Sequence, residues 1–423
     1  MGSVSPRTQR PKVLIIGAGI SGPILALLLK RKGYSPLVLE KVHSLGDAGS
    51  GLMLMPNGLK VLSLLSLSAP ITNEVPNLEA ILDYRWEGEE IGGMSCEGWK
   101  EKYGEVACGV KRSVLNLALK EALKEAGIPL IEGWKLANVI EDGDSVTAIS
   151  ADGRQENGSF LVGCDGIRSM TRKILLEQRG IREAEPVFTG LVQVAGISKT
   201  PDALLGKKPA MRNFYGPEKH FITYPSFRAD AGMTGWAITS RSSTPDIETW
   251  QSMSDSDLLS FKAKLNKEFE GWCPEVRGLV SDAEKVIKYG LYDREALDPE
   301  NWASESGRCM LVGDAAHPTS PHLGQGANQA LEDCWWLSQL LPDVSEGKGP
   351  EREELKAAFK AFAEKRQPRT KELVKGARLQ GEMRVVGGGE EGRKRDELLK
   401  EGWRNEEAVR AKYDGLLKGP FLC

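Results

Sequence analysis

Residues 12–22 read Lys-Val-Leu-Ile-Ile-Gly-Ala-Gly-Ile-Ser-Gly, and this stretch decides how the fold begins. Its first five residues, Lys12–Ile16, form a short apolar run of the kind that a buried parallel strand needs. The apolar segment 23–29 predicts a helix, and Pro23 suits the first turn, where its missing N–H has no partner to lose. A second apolar run at residues 36–40 predicts another strand. Together these segments predict a β-α-β unit.

The glycines at positions 17, 19 and 22 follow the GxGxxG pattern of dinucleotide-binding turns. The first glycine permits a tight turn, the second lets a pyrophosphate approach the backbone, and the third lets the helix pack closely on the strand. Glu40 comes eighteen residues after Gly22, where an acid binds the hydroxyls of an adenosine ribose. An acid at this place favours FAD or NAD over NADP. The alternative is a glycine-rich turn beside a surface glutamate.

Two later clusters also place an acid after a predicted buried strand. Residues 163–169 read Gly-Cys-Asp-Gly-Ile-Arg-Ser, and residues 313–318 read Gly-Asp-Ala-Ala-His-Pro. Either acid, Asp165 or Asp314, can hold a sugar hydroxyl. The alternative for the first cluster is a strand-to-helix turn at Asp165-Gly166, and for the second it is a loop in which Asp314 caps a helix. Gly324 and Gly326 follow, and would let a long ligand lie against a helix N-terminus. In this order and spacing the clusters favour a cofactor site.

The composition excludes several other classes of protein. The 56 Lys and Arg nearly balance the 59 Asp and Glu, so a net charge of -3 argues against nucleic-acid binding and against adhesion to anionic lipid. No apolar run approaches the ~18–20 residues that cross a bilayer, which predicts that there is no membrane anchor. Seven cysteines without a CxxC pair favour free thiols in the cytoplasm, and four histidines without an HExxH pair predict no metal site.

The three motifs together resemble those of class A flavoprotein monooxygenases, the superfamily of p-hydroxybenzoate hydroxylase and salicylate hydroxylase. The resemblance covers residues 13–341 and includes GxGxxG with Glu40, the DG motif at Asp165-Gly166 and the GD motif at Gly313-Asp314. It implies FAD bound tightly and without a covalent link, NADH or NADPH as a transient reductant, and O2. The cofactor-binding residues that it implies are Gly17, Gly19, Ile20, Ser21, Gly22, Glu40, Lys41, Gly51, Leu52, Arg112, Asp165, Gly166, Gly313, Asp314, Pro321, Gly324, Gly326, Ala327 and Asn328.

The predicted fold is α/β and has three parts. A discontinuous, Rossmann-like FAD-binding domain takes residues 1–75, 105–185 and 286–342. Alternating segments between residues 136 and 162 predict hairpins. A mainly antiparallel β-sheet substrate-binding domain (76–104 and 186–285) is inserted into the FAD-binding domain. The charged segment 343–423 predicts a C-terminal helical tail, most simply solvated surface helices.

The resemblance implies hydroxylation of a phenolic or hydroxybenzoate-like aromatic through a flavin C4a-hydroperoxide, with release of CO2 where the attacked carbon carries a carboxylate. A flavin epoxidase or hydroxylase of a terpenoid or alkaloid metabolite is the alternative enzyme, and a non-catalytic binder on the same fold is an alternative of another class. The predicted partner is a small aromatic substrate, and the predicted state is a monomer or homodimer.

His220 and Tyr224 are the predicted catalytic residues. They lie four residues apart in a predicted strand, so both side chains would point to one face of the sheet. A histidine titrates in the range that suits a base for a phenol, and a tyrosine can hold a phenolic oxygen. The alternative is a solvated histidine at a strand end beside a core tyrosine. His322 is a weaker candidate for a substrate contact.

Overall fold

The computed structural model describes residues 10–43, 51–227, 231–244, 253–344 and 349–421. The strands in these ranges are β1 (Lys12–Ile16), β2 (Ser35–Leu39), β3 (Gly51–Leu54), β4 (Ala80–Arg85), β5 (Glu90–Ser95), β6 (Cys108–Lys111), β7 (Leu130–Ile131), β8 (Leu136–Asp142), β9 (Ser145–Ser150), β10 (Gln155–Gly158), β11 (Phe160–Gly163), β12 (Val187–Lys199), β13 (Ala210–Gly216), β14 (Lys219–Tyr224), β15 (Met233–Arg241), β16 (Ala283–Asp293) and β17 (Cys309–Leu311).

The helices in the same ranges are α1 (Ser21–Arg31), α2 (Pro56–Leu64), α3 (Ala69–Thr72), α4 (Trp99–Tyr103), α5 (Arg112–Glu125), α6 (Met170–Gln178), α7 (Asp255–Glu268), α8 (Pro274–Ser281), α9 (Gly326–Leu340), α10 (Arg352–Arg384), α11 (Gly389–Arg404) and α12 (Glu406–Leu417). Within the part of the chain that the structure describes, no helix combines the length and the apolar character that crossing a bilayer requires.

A parallel sheet carries the cofactor-binding half of the fold. Its described strands run in the order β17-β11-β1-β2-β7, and all neighbouring pairs are parallel. Nearly every residue of the central strand β1 is buried, as expected for a sheet that is covered on both faces. The predicted β-α-β unit is confirmed. Strand β11 had been predicted as part of a hairpin, but it pairs in parallel with β1, so the hairpins end at β10.

A mainly antiparallel sheet forms the other half, as predicted. Its described strands run in the order β16-β12-β15-β14-β13-β4-β5, and only β13 and β4 pair in parallel. Helices α7 and α8 cover one face, where Phe221, Trp236 and Phe269 are buried together. Because β16 pairs with β12 as far as Asp293, the domain boundary predicted at residue 286 falls inside a strand of this sheet. We propose residue 293 as the end of the substrate-binding domain.

The C-terminal helices do not form the solvated surface layer that their charge suggested. Phe359 and Phe362 of α10 are buried in the same core as the parallel sheet. Tyr413 and Leu417 of α12 are buried beside the antiparallel sheet. The indole N–H of Trp403 donates a hydrogen bond of 2.8 Å to Asp83 Oδ2 on β4. The tail therefore links both halves of the molecule through a buried face that includes apolar side chains and the arginines at positions 366, 384 and 395.

Candidate active site

The turn between β1 and α1 gives each glycine of GxGxxG a different role. Gly17 has a φ of +103°, and a Cβ there would lie 2.5 Å from the carbonyl oxygen of Cys164. A Cβ on Gly22 would lie 1.9 Å from the carbonyl oxygen of Gly17. Around Gly19, by contrast, no described atom lies within 4 Å of the position that a Cβ would take. Gly17 and Gly22 thus close the turn, and Gly19 leaves room for a ligand above the N-terminus of α1.

Glu40 faces this turn from the end of β2. Its Oε2 accepts a hydrogen bond of 2.6 Å from the N–H of Ala18, and its Oε1 accepts one of 2.9 Å from the N–H of Val42. The side chain is buried but borders the cavity described below. Because each carboxylate oxygen has a further lone pair, Glu40 can stabilise the glycine turn and still accept a ribose hydroxyl.

The DG motif lies between β11 and α6, and the structure uses its acid to cap the helix. Asp165 accepts hydrogen bonds from the Ser169 hydroxyl at 2.5 Å and from the backbone N–H of Thr171 at 2.9 Å. Burial raises the pKa of Asp165, and these hydrogen bonds oppose that effect. This carboxylate therefore caps α6 and also borders the cavity described below. Gly166, with a φ of +78°, borders the cavity next to it.

The GD motif places its acid differently. The side chain of Asp314 is exposed to the open cavity. Desolvation by the surrounding protein raises the pKa of Asp314, and the nearby His317 and Arg112 oppose that rise. Arg112, the first residue of α5, also borders the cavity. An acid and an arginine that both border the cavity suit the hydroxyl and phosphate groups of a bound dinucleotide.

Gly324 and Gly326 shape the N-terminus of α9. Gly324 has a φ of +62° and ends a single helical turn, and Gly326 begins α9. Asn328 was predicted to contact the cofactor, but it does not border the cavity. Its side chain accepts from the N–H of Met55 at 2.9 Å and donates to the carbonyl of Met53 at 3.0 Å. It therefore fixes α9 against β3 and α2.

A cavity of about 650 Å³ unites these turns. It opens between the parallel sheet and the antiparallel sheet, and most of the predicted cofactor residues border it. Gly22, Gly313 and Asn328 are behind its wall. The predicted residues on the wall are Gly17, Gly19, Ile20, Ser21, Glu40, Lys41, Gly51, Leu52, Arg112, Asp165, Gly166, Tyr224, Asp314, Pro321, Gly324, Gly326 and Ala327.

The antiparallel sheet supplies the far end of the cavity. Met211, Ile222 and Ala237 give it an apolar wall. The hydroxyl of Tyr289 donates to Gln193 Oε1 at 2.5 Å, and both residues border the cavity. No local sequence pattern marks this pair. An apolar chamber with few polar groups is typical of a pocket for a small aromatic ligand.

Tyr224 borders this chamber, but His220 does not. A Cβ on Gly51 would lie 2.5 Å from Tyr224 Cε2, so the tyrosine ring packs on the strand that carries Gly51. His220 points to the same face as Tyr224, as predicted, yet it is fully buried two side chains further along β14. Its Nε2 lies 3.0 Å from Asn213 Oδ1, and its ring centroid lies 4.9 Å from that of Tyr215.

The pKa shifts of His220 and Tyr224 argue against a role for His220 as the base. Burial, with the nearby charge of Arg384, lowers the pKa of His220 well below its usual value. Burial raises the pKa of Tyr224, so its phenol stays neutral. Because His220 has no access to the chamber, we no longer propose it as a base, and Tyr224 remains the candidate for contact with substrate.

Two further residues on the wall come from segments that the sequence did not connect. His322 lies in the turn before Gly324, and Arg384 is the last residue of α10. Arg384 Nη1 lies 3.1 Å from His322 Nδ1. In the sequence Arg384 is one charge among many in the tail. The glycine at position 381, inside a helical pattern, is a signal of close packing that could have marked this place.

Comparison with known proteins identifies the family. A family described as an FAD binding domain matches residues 10–257 and 299–377. The 3-amino-4-hydroxybenzoate 2-monooxygenase of Streptomyces platensis is 32% identical over 379 residues, 88% of each chain. The chain belongs to the class A flavoprotein monooxygenases. It is an FAD-dependent monooxygenase, and FAD with NAD(P)H and O2 are the cofactor and cosubstrates of this family.

Two other similarities agree with this assignment. The 6-hydroxynicotinate 3-monooxygenase of Pseudomonas fluorescens is 28% identical over 341 residues, which are 80% of this chain and 84% of that one. Klebsiella pneumoniae HpxO, solved with FAD and uric acid, has a TM-score of 0.80 at 24% identity and covers 97% of both chains. The similarity to HpxO shows the fold. The residues present also fit FAD, because the three turns that would hold this cofactor meet in one cavity.

Proposed function

We propose that this monooxygenase hydroxylates an aromatic ring that already carries a hydroxyl group, as in a hydroxybenzoate. The continuity of the cavity carries the proposal, because one space joins the glycine–acid turns to the apolar chamber under the antiparallel sheet. The relatives named above act, by their names, on an aminohydroxybenzoate and a hydroxynicotinate. Both compounds are small six-membered rings with a hydroxyl group, and an apolar chamber with a few polar side chains suits such a ring.

The cofactor and the protein divide the work. When bound, FAD would supply the redox chemistry, which is acceptance of a hydride from NAD(P)H and activation of O2. Glu40, Lys41, Gly19 and Arg112 all border the cavity. Glu40 and Lys41 would hold the adenosine end, and Gly19 and Arg112 would bind the phosphates. The N-terminus of α9 presents backbone N–H groups and the positive end of a helix dipole, which stabilise negative charge on a ligand beside them.

The chamber must also exclude water and orient the ring. Met211, Ile222 and Ala237 leave no hydrogen-bonding partner for water on their part of the wall. The neutral hydroxyl of Tyr224 can donate a hydrogen bond to the phenolic oxygen of the substrate. This hydrogen bond favours the phenolate form, in which that oxygen carries negative charge. Tyr224 therefore acts as a donor to the substrate rather than as a base.

The experiment that tests the proposal measures NAD(P)H consumption and product for a panel of substrates with the FAD-loaded enzyme. The panel includes hydroxybenzoates, hydroxypyridine carboxylates, and alicyclic alkenes of terpenoid type. We expect slow NAD(P)H oxidation without substrate, fast oxidation with a hydroxylated aromatic ring, and a product that has gained one oxygen atom. Turnover of the alkenes with no turnover of the aromatic compounds would instead support the epoxidase.

We further propose that the enzyme works in the cytoplasm as a monomer or homodimer. The six cysteines of the described residues are all unpaired thiols, and all of them are buried. Unpaired cysteines agree with a reducing compartment. Light scattering during size-exclusion chromatography gives the mass in solution, and a mass above that of two chains would exclude this state.

A further inference from the structure

Arg384 brings a buried positive charge to the chamber that the antiparallel sheet walls. It ends the 33-residue helix α10, and its side chain is only 6% exposed while forming part of the cavity wall. Four other basic residues border the cavity, but they belong to segments around the dinucleotide turns. They are Lys41, Arg112, Lys135 and Arg168. Arg384, by contrast, lies beside Tyr215 and Asp83 of the antiparallel sheet, at the chamber end of the cavity.

The hydrogen bonds of this guanidinium are incomplete. Its Nη1 donates to His322 Nδ1 at 3.1 Å, and the hydroxyl of Tyr215 is a second side-chain partner. Its Nε is buried without a hydrogen-bond partner in the part of the chain that the structure describes. Among the described residues, no carboxylate forms an ion pair with it within 4.0 Å. The nearest acid that affects it is Asp83, whose carboxylate already accepts hydrogen bonds from Asn213 at 2.8 Å and from Trp403 at 2.8 Å.

A buried arginine without an anion is unfavourable. Burial lowers the pKa of Arg384, and the nearby Tyr215 and Asp83 offset part of that effect. The guanidinium nevertheless stays protonated, because its intrinsic pKa is so high. A buried charge is stabilised chiefly by a partner of opposite sign. Lys412 adds further positive charge to this region, whereas Arg395 is paired with Asp396 at 2.7 Å. The region therefore has an excess of positive charge that an anionic ligand would balance.

His322 acts on Arg384 rather than on a substrate proton. Because a guanidinium only donates, Nδ1 of His322 must accept, and the ring proton is therefore on Nε2. Burial, with the charge of Arg384, lowers the pKa of His322 well below its usual value. A Cβ on Gly381 would lie 2.6 Å from His322 Nε2, so the ring packs directly on the α10 backbone. His322 is a positioning residue for Arg384.

We propose that Arg384 binds the carboxylate of the aromatic substrate and selects carboxylated rings over uncharged ones. This inference rests on the proposed function, since it names the substrate group that the chamber recognises. A guanidinium matches a carboxylate in shape and can form two parallel hydrogen bonds with it. A phenolate oxygen is the other negative group that such a ring can carry, and the experiment separates the two.

The test measures ligand binding to the FAD-loaded enzyme through the change in the flavin absorption spectrum and by calorimetry. The ligands are benzoate, the isosteric amide benzamide, and phenol. Wild type is expected to prefer benzoate over benzamide by about 30-fold or more, the size of effect that a buried charge pair produces. In Arg384→Gln this preference should fall to a few-fold, with the affinities for benzamide and phenol unchanged.

Matched variants keep the result interpretable. Arg378→Gln removes a charge from the same helix outside the cavity, where Arg378 pairs with Asp293, and should keep the preference. Arg384→Lys keeps the charge but loses the paired geometry, so its preference should lie between those of wild type and Arg384→Gln. It serves as the test should Arg384→Gln lose FAD or fold poorly. An unchanged preference in the Arg384 variants, or weakened phenol binding in place of benzoate binding, would overturn the assignment.

The outcome is separable from that of the proposed function. Binding uses unreactive ligands and needs neither NAD(P)H nor O2. A preference for benzoate that depends on Arg384 would support this inference even where no aromatic compound is turned over. Conversely, hydroxylation of phenols with and without a carboxylate at equal kcat/KM would support the proposed function and overturn the role of Arg384.

Discussion

Arg366 Nε lies 2.6 Å from Asp333 Oδ1, and this buried ion pair joins the C-terminal helix α10 to α9. The other oxygen of Asp333 accepts from the N–H of Gly313 at 3.0 Å and lies 2.5 Å from His317 Nε2. Arg366 also contacts Glu332 at 2.7 Å. The tail thus holds the GD turn in place through a charged cluster, although it lies far from that turn in the sequence.

This cluster predicts how stability depends on pH. Burial raises the pKa of Asp333, but the nearby His317 and Arg366 outweigh it, and the pKa is below its ordinary value. The pKa of Glu332 is lowered in the same way by Arg366 and Arg369. Groups with lowered pKa values in the folded state stabilise it above their unfolded values, ~3.9 and ~4.3, and lose that contribution as the pH falls. We therefore expect urea denaturation to show falling stability below about pH 4.

Replacing Arg366 tests whether its charge causes this pH dependence. Arg366→Met leaves two buried carboxylates with too little positive charge, and we expect a loss of about 3–5 kcal/mol at pH 7. The stability that wild type gains between pH 4 and pH 7 should shrink or reverse, because burial then dominates the pKa of each acid. Lys360→Met, which breaks an exposed pair on the same helix, should change stability by less than about 0.5 kcal/mol.

Adding a single methyl group at position 22 is predicted to lower both stability and FAD binding. A Cβ at this position would lie 1.9 Å from the carbonyl oxygen of Gly17, so Gly22→Ala must push α1 away from the turn. Overpacking of this kind costs about 1–3 kcal/mol, and here it also opens the cofactor turn. We expect reduced flavin absorbance per protein and a lower Tm. The control is Gly402→Ala in α11, where a Cβ meets open space and should be neutral or slightly stabilising.

The acids of the two later motifs should behave differently when each is replaced by Ala. Asp314 opens on the cavity, so Asp314→Ala should release FAD while leaving the stability of the apoprotein nearly unchanged. Asp165 caps α6, so Asp165→Ala should cost about 1–2 kcal/mol of stability with FAD retained at temperatures where the chain is folded. Flavin absorbance and urea denaturation of both variants separate the two roles. Full FAD occupancy in Asp314→Ala would contradict the assignment.

Features that a local sequence pattern determines could be predicted, whereas features that depend on the packing of distant segments could not. The turn at Gly17 follows from its own glycines and its flanking apolar runs, so its place could be predicted. Asn328 belongs to the same kind of motif, but its amide is used on the backbone of β3, which no local pattern shows. The role of Arg384 depends on where a 33-residue helix ends. A charged helix predicts exposure, and its buried face appears only with the fold.

His220 and Tyr224 provide the last prediction, because the same strand holds one inside the chamber and the other outside it. Tyr224→Phe removes the hydroxyl that would contact the substrate, and we expect kcat/KM for a hydroxylated ring to fall about tenfold, the effect of one hydrogen bond of ~1.4 kcal/mol. His220→Gln can keep a hydrogen bond to Asn213, and since His220 does not reach the chamber, the pH profile of kcat/KM should keep its wild-type shape. The loss of one limb of that profile in His220→Gln, with Tyr224→Phe unaffected, would restore the histidine as the base.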